Sequence, residues 1–240
     1  MENGGLGTLL IKTEQMTKSV LSVIPGRGGS KGISKKNIID LAGKPLIAWT
    51  IEASINSKYI NKTIVSSDSN EVLEIAKKYK AEVSIRPKNL ASDISSSESV
   101  VKHVLDNINE KFDYVILLQP TSPLRNTKDI DDAFKKLFSS SASALISLQE
   151  YDNKALKAFK ENDLGFIEGI SNNKYPFMRR QDLPKTYLSN GAIYIIKVDE
   201  FFKNNSFYTD KTIPFVMDEK RSIDLDTYKD LEKISLEIKK

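Results

Sequence analysis

Apolar positions fall in short β-branched runs, separated by longer stretches in which they recur three or four residues apart. Residues 20–25 (VLSVIP) form a continuous apolar run that breaks into glycine, which predicts a buried strand followed by a loop. Residues 45–56 then take helical spacing through Leu46, Ile47, Trp49, Ile51 and Ile55. A second strand is expected at 63–67 (TIVSS), followed by a helix capped by Ser69 or Asn70, with Val72, Leu73, Ile75 and Ala76 on its inner side. A short strand at 82–85 ends at Arg86-Pro87. The serines at 95–97 open another helix, whose apolar face is Val100, Val101, Val104, Leu105 and Ile108. Residues 114–118 (YVILL) are apolar throughout, as expected of a mid-sheet strand covered on both faces. A helix over 129–138, a strand over 142–148, a returning strand over 191–196 and a terminal amphipathic helix over 227–239 complete the pattern.

Strand alternating with helix predicts an α/β fold, a mostly parallel twisted sheet with helices on both sides. Ligands in such sheets lie at the carboxyl ends of the strands, so the loops after Pro25, Ser67, Ile85 and Leu118 carry the interest. The rhythm breaks between 149 and 187, a polar stretch with two prolines that reads as an insertion into a domain spanning 20–240. Residues 1–19 lack the apolar core and cleavage site of a signal peptide and read as a disordered leader. Met16 is a plausible start, just ahead of the first strand.

Composition narrows the chemistry. The 240 residues include 40% hydrophobic positions, enough for a real core, and no cysteine, which excludes disulfides, thiolate metal sites and a cysteine nucleophile. That fits a reducing cytoplasm. The net charge of +4 is spread along the chain as a solvated lysine-rich surface, so no nucleic-acid partner is expected. No apolar run reaches the roughly 20 residues of a membrane span.

Basic residues cluster only after the first strand, where Arg27, Gly28, Gly29, Ser30, Lys31 and Gly32 are followed by Lys36 and Asn37. Glycines let backbone amides approach phosphate oxygens, and the cations neutralise phosphate charge. The spacing is neither a P-loop nor a dinucleotide fingerprint. Near the other end Asp224 and Asp226 lie two apart in SIDLD. In an extended chain both face one way with Leu225 opposite, which suits Mg²⁺ beside a triphosphate and equally suits two acids ahead of a helix. Gln119, Thr121 and Ser122 follow the mid-sheet strand in a loop shaped by Pro120 and Pro123, and Arg125 braces that turn. His103 and Trp49, each the sole residue of its kind, sit in amphipathic helical patterns and read as packing residues.

Five segments in order, 23–37 (VIPGRGGSKGISKKN), 118–125 (LQPTSPLR), 180–184 (RQDLP), 190–194 (NGAIY) and 222–226 (SIDLD), resemble the motifs of the acylneuraminate cytidylyltransferases, the bacterial CMP-sialic acid synthetases. The resemblance runs from about Val20 to the C-terminus. It implies that Arg27, Ser30, Lys31, Lys36, Asn37, Arg86, Ser95 and Ser97 hold CTP. Gln119, Thr121, Ser122, Lys157, Arg180, Asn190, Tyr194, Phe207 and Tyr208 would surround the sugar acid, with Arg179 a neighbouring candidate. Asp224 and Asp226 would bind Mg²⁺, or Mn²⁺ in its place, and act in catalysis with Arg27 and Lys36. It further implies a homodimer joined through the insertion, and attack of the anomeric 2-hydroxyl of N-acetylneuraminic acid on the α-phosphorus of CTP. Legionaminic, pseudaminic and deoxy-octulosonic acids are alternative substrates, and a non-catalytic nucleotide-binding protein is the alternative outside this class. Gly26 departs from the family, where alanine precedes the arginine, and is expected to loosen the turn.

Overall fold

The computed structural model describes residues 18–30, 32–92 and 94–239. The expected leader therefore lies almost wholly outside the described residues. Strand β1 (Val20–Pro25) is followed by a tight hairpin, β2 (Asp40–Leu41) and β3 (Lys44–Pro45), and by helix α1 (Leu46–Ile55). Then come β4 (Lys62–Ser67), α2 (Asn70–Lys78), β5 (Glu82–Ile85), α3 (Ser97–Asn107), β6 (Tyr114–Leu117), α4 (Thr127–Phe138) and β7 (Ala144–Tyr151). A small hairpin, β8 (Phe159–Glu161) and β9 (Ile167–Gly169), precedes the long β10 (Thr186–Lys197). Helix α5 (Val198–Asn204), strand β11 (Thr212–Val216) and helix α6 (Tyr228–Ile238) follow.

Seven strands form one sheet in the order β11-β7-β10-β6-β1-β4-β5. All pairs are parallel except the two made by β10, which runs antiparallel to both β6 and β7. The mid-sheet position read for 114–118 is where β6 lies. Side chains of β1 alternate between two cores, as a pleated strand requires. Val20 and Ile24 join α1, α2 and α4 on one face, and Leu21 and Val23 join α3 and Phe201 on the other. A third, smaller core gathers Ile33, Leu41, Leu46, Leu225 and Ile234 beyond the carboxyl edge of β1.

The structure corrects several sequence expectations. Ser69 occupies the cap position of α2, yet neither it nor Asn70 supplies a capping bond. Helix α4 starts two residues early because Asn126 and Asp129 form a reciprocal capping box. The insertion is narrower than 149–187, since β7 runs to Tyr151 and β10 begins at Thr186. Between them lie 3₁₀ turns and the β8–β9 hairpin. Helix α5 is a short element of about two turns, and β11 alternates half-buried with exposed residues around Pro214, so neither has a strong periodic signal. Proline lacks an N–H and is tolerated on β11 because that strand is a sheet edge. Trp49 is half-buried and donates its indole N–H to the Leu41 carbonyl at 3.1 Å.

Thr227 caps α6, its hydroxyl accepting from the Asp230 amide at 3.3 Å while the Asp230 carboxylate accepts from the Thr227 amide at 2.9 Å. Thr227→Ala is expected to cost about 1 kcal/mol and lower Tm by roughly 2–4 °C; thermal unfolding followed by circular dichroism checks this.

Candidate active site

The glycine loop leaves β1 at the carboxyl edge of the sheet and is fixed from three directions. The Gly26 amide donates to the Ser66 carbonyl of β4 at 2.9 Å. The Asn37 side-chain amide donates to the Arg27 carbonyl at 2.8 Å, and the Gly28 amide donates to the Asp68 carboxylate at 2.9 Å. A Cβ on Gly28 would lie 2.8 Å from that of Ser69, so the close approach to the β4–α2 turn needs glycine. The expected loosening at Gly26 does not occur. A methyl there would stand 2.6 Å from Ile47 Cδ1 and 3.1 Å from Val72 Cγ1, so the space an alanine would fill is already taken by the core.

A cavity of about 250 Å³ opens above this loop, lined by Arg27, Gly29, Ser30, Lys36, Asn37, Arg86, Ser95, Ser97, Gln119 and Thr121 among others. Nearly all the residues expected to hold the nucleotide therefore meet at one place. Lys31 lies outside the described residues. Ser96, which also lines the cavity, caps α3 by accepting from the Ser99 amide at 3.2 Å, so the amino end of that helix adjoins the cavity. Arg86 is no surface residue. It is buried, donating to the Ser66 carbonyl at 2.6 Å, and burial lowers its pKa to about 10, with Arg27 adding to the fall and Asp68 opposing it. It remains a cation at neutral pH.

The SIDLD segment, from the far end of the sequence, borders the second cavity described below and is bonded to Lys36 and Thr121 of the first. Leu225 is fully buried in the third core while Asp224 and Asp226 face outward, as the spacing requires. The Leu225 amide donates to the Thr121 carbonyl at 2.8 Å. The Lys36 ammonium donates to the Leu225 carbonyl at 2.9 Å and pairs with the Asp226 carboxylate at 3.0 Å. Lys36 is only 13% exposed and so is a fixed cation, not a surface lysine. Gly32 packs against the same strip, since a Cβ there would lie 2.8 Å from the Asp226 carbonyl oxygen. Asp224 is exposed overall, yet crowding by protein atoms raises its pKa, helped by Asp226; the Thr121 hydroxyl, Lys36 and the Leu225 amide pull the other way.

A second cavity, of about 550 Å³, lies on the other side of Gln119, lined by Gln119, Gln149, Leu188, Ser189, Asn190, Gly191, Tyr194, Glu219, Ser222 and Asp224 among others. Gln119 thus borders both cavities. Its position is set by Gly191, where φ is +72° and a Cβ would meet Gln119 Oε1 at 2.9 Å. Asn190 lines the cavity, but its amide is engaged with protein. It donates to Ser222 Oγ at 3.0 Å and accepts from Ser147 Oγ at 2.6 Å, which shapes the bulge in β10. The Tyr194 hydroxyl lies 2.9 Å from Ser189 Oγ. Ser122 is buried beneath the loop, and Arg125, 1% exposed, braces it through Thr50 Oγ1 at 2.9 Å and the Gln119 carbonyl at 3.0 Å.

Six expected sugar residues do not line this cavity: Thr121 lines the first cavity instead and Ser122 is buried, while Lys157, Arg180, Phe207 and Tyr208 lie elsewhere. Phe207 is core, packed on Phe201 and behind Tyr194, and Tyr208 is 62% exposed outside both cavities. Arg180 lies on the insertion, paired with Asp152 at 3.3 Å, and Lys157 lies in a 3₁₀ turn of the same insertion. Gln149, Leu188 and Glu219 are cavity residues with no sequence signal to mark them. Asp68 had a weak one, an acid directly after a strand whose carboxyl edge faces the glycine loop.

The family model described as cytidylyltransferase matches residues 21–238. A pseudaminic acid cytidylyltransferase of Campylobacter jejuni is 35% identical over 216 residues, covering 88% of this chain and 93% of that protein. An N-acylneuraminate cytidylyltransferase of Escherichia coli O18:K1:H7 is 33% identical over 221 residues, covering 90% of this chain and 51% of that protein. The solved structure of a CMP:2-keto-3-deoxy-manno-octonic acid synthetase with CTP superposes with a TM-score of 0.68 at 16% identity, covering 93% of this chain and 99% of that one, a likeness of fold.

Gly26→Ala is expected to displace Ile47 and cost about 1 kcal/mol, lowering Tm by roughly 2–4 °C. Adding Ile47→Val should recover part of the loss, which differential scanning calorimetry of the two variants would resolve.

Proposed function

The chain belongs to the cytidylyltransferase family, and on that footing we propose that it joins CTP to the anomeric 2-hydroxyl of a nonulosonic acid, giving a CMP-sugar and pyrophosphate. The carrying observation is the place of Gln119 between a cation-lined cavity on the glycine loop and a larger polar cavity bordered by Asp224. A triphosphate in the first and a sugar acid in the second would bring the α-phosphorus and the attacking hydroxyl together at that junction.

Phosphoryl transfer depends chiefly on alignment and charge neutralisation. Arg27, Lys36 and Arg86 supply positive charge around the nucleotide, and the glycine loop lets backbone donors approach the phosphates. Gln119 orients the sugar. Asp224 and Asp226 offer an all-oxygen pair suited to Mg²⁺, or to Mn²⁺ in its place. Among the described residues no cluster of three or more acidic or histidine side chains could hold a metal, so waters and phosphate oxygens would complete the shell. When bound, the ion would offset phosphate charge and acidify the attacking hydroxyl. The Lys36 contact to Asp226 keeps that carboxylate oriented.

N-acetylneuraminic acid is the substrate the motifs imply. Pseudaminic acid is the second reading, favoured by a relative matched over nearly its whole length. The insertion exposes Leu164, Phe166, Ile167 and Phe177, an apolar surface that a second copy would cover, placing Lys157 and Arg180 near the partner's sugar cavity. We therefore read the protein as a homodimer. Among the described residues no helix is long and apolar enough to cross a membrane, and a cytoplasmic site of action fits the need for CTP.

Pyrophosphate release from CTP and Mg²⁺, with N-acetylneuraminic, pseudaminic and legionaminic acids in parallel, tests the reading. Release that requires CTP, metal and one of these sugars is expected; none with any of them from a folded, CTP-binding protein would show a non-catalytic binder instead. Asp226→Ala should lower turnover at least about a thousandfold with the fold retained, the scale of several kcal/mol of lost charge stabilisation. Near-normal activity in that variant would remove the metal assignment.

A further inference from the structure

The Arg27–Gly28 peptide group is held at both of its polar ends by side chains. Its carbonyl oxygen accepts from the Asn37 side-chain amide at 2.8 Å, and its N–H donates to the Asp68 carboxylate at 2.9 Å. In a trans peptide these two groups point in opposite directions, so holding both fixes the rotation of the whole plane. Nothing in the glycine run would fix it otherwise. Gly28 has no side chain, and Gly29 has open space around its α-carbon, with nothing within 4 Å of a built Cβ. Asp68 reaches the loop because Ser69 lies against Gly28, where no side chain fits.

The geometry points to Asp68, clamped with Asn37 on one peptide group, as a positioning residue for the nucleotide loop. Asp68 is not among the residues lining either cavity, so it does not need to touch the ligand. Its action passes through the loop. The Gly28 amide is turned away to the carboxylate, and the orientation of the peptide sets the direction in which the Arg27 side chain leaves the backbone. Gly29 and Ser30, which follow it, line the cavity. The charge of Asp68 also bears on Arg86, whose pKa it supports, but the clamp itself needs only an acceptor. This inference rests on the nucleotide reading of the first cavity.

The test is steady-state kinetics with CTP and the sugar acid varied separately, on wild type, Asp68→Ala, Asp68→Asn, Asn37→Ala and the double alanine variant. Asp68 is exposed, so its replacement should leave the fold intact, and circular dichroism checks that. Asp68→Ala should raise KM for CTP about tenfold, the scale of one lost charge-assisted hydrogen bond, with KM for the sugar unchanged. Asp68→Asn keeps an acceptor for the Gly28 amide and should restore KM for CTP to within about threefold of wild type. Two residues acting on one peptide group should not add, so the double variant should be no worse than its more damaged parent. An unchanged KM for CTP in Asp68→Ala, Asp68→Asn as poor as alanine, or full additivity would each overturn the clamp. Should Asp68→Ala not fold, Asp68→Leu, similar in size and without an acceptor, replaces it in both the single and the double variant. A wild-type protein without CTP-dependent turnover would instead remove the functional reading on which the clamp rests.

Discussion

The Lys36 ammonium, lodged between the Leu225 carbonyl and the Asp226 carboxylate, joins two segments 190 residues apart in sequence. Chain entropy opposes any such closure, and one partly exposed ion pair would not hold it. What makes the contact persistent is the small apolar core beneath it. Ile33, Leu41 and Leu46 come from the first segment and Leu225 and Ile234 from the last. The backbone of SIDLD is further tied by the Leu225 amide to Thr121 and by its fit against Gly32. Three loops from separate strands thereby share one rigid junction, and the acidic pair, the fixed cation and the glycine loop hold their spacing as a unit.

The antiparallel β10 does for the second cavity what this junction does for the first. An all-parallel sheet would bring only the carboxyl ends of its strands to the ligand edge. Inserting β10 between β6 and β7 passes a bulged strand across the mouth of the sheet, so that Asn190, Gly191 and Tyr194 stand opposite Gln119. The bulge persists because the Asn190 amide supplies donors and acceptors that a regular ladder would have provided. Arg125 then couples this strand to α1 and to the Gln119 loop from beneath, donating to Ala192, Thr50 and Gln119.

Much of this was legible in the sequence where a local signal was strong. Strands β1 and β5 have the bounds that their apolar runs, ended by glycine or by Arg-Pro, predict. The alternation in SIDLD placed Leu225 inward and its two acids outward, and the glycine loop announced itself by composition. The hidden parts were contacts between distant residues. The expectation for Gly26 failed because its neighbours Ile47 and Val72 lie on other elements. The burial of Arg86 has no local signal, because the Ser66 carbonyl that receives it lies on another strand. Phe207, which the resemblance assigns to the sugar, is drawn into the core by Phe201. Lys157 and Arg180 belong to an insertion whose apolar exposure no periodicity records.

Pro214 bears on how molecules of this protein meet. Both open borders of the seven-stranded sheet would otherwise offer unpaired peptide groups to any neighbouring molecule. On β11 the proline removes one such donor, and on β5 the strand is only four residues long with Glu82 bridged to Lys62. Growth of the sheet from molecule to molecule is thereby discouraged at both ends. Concentrating the protein should therefore not drive edge-to-edge growth into fibres.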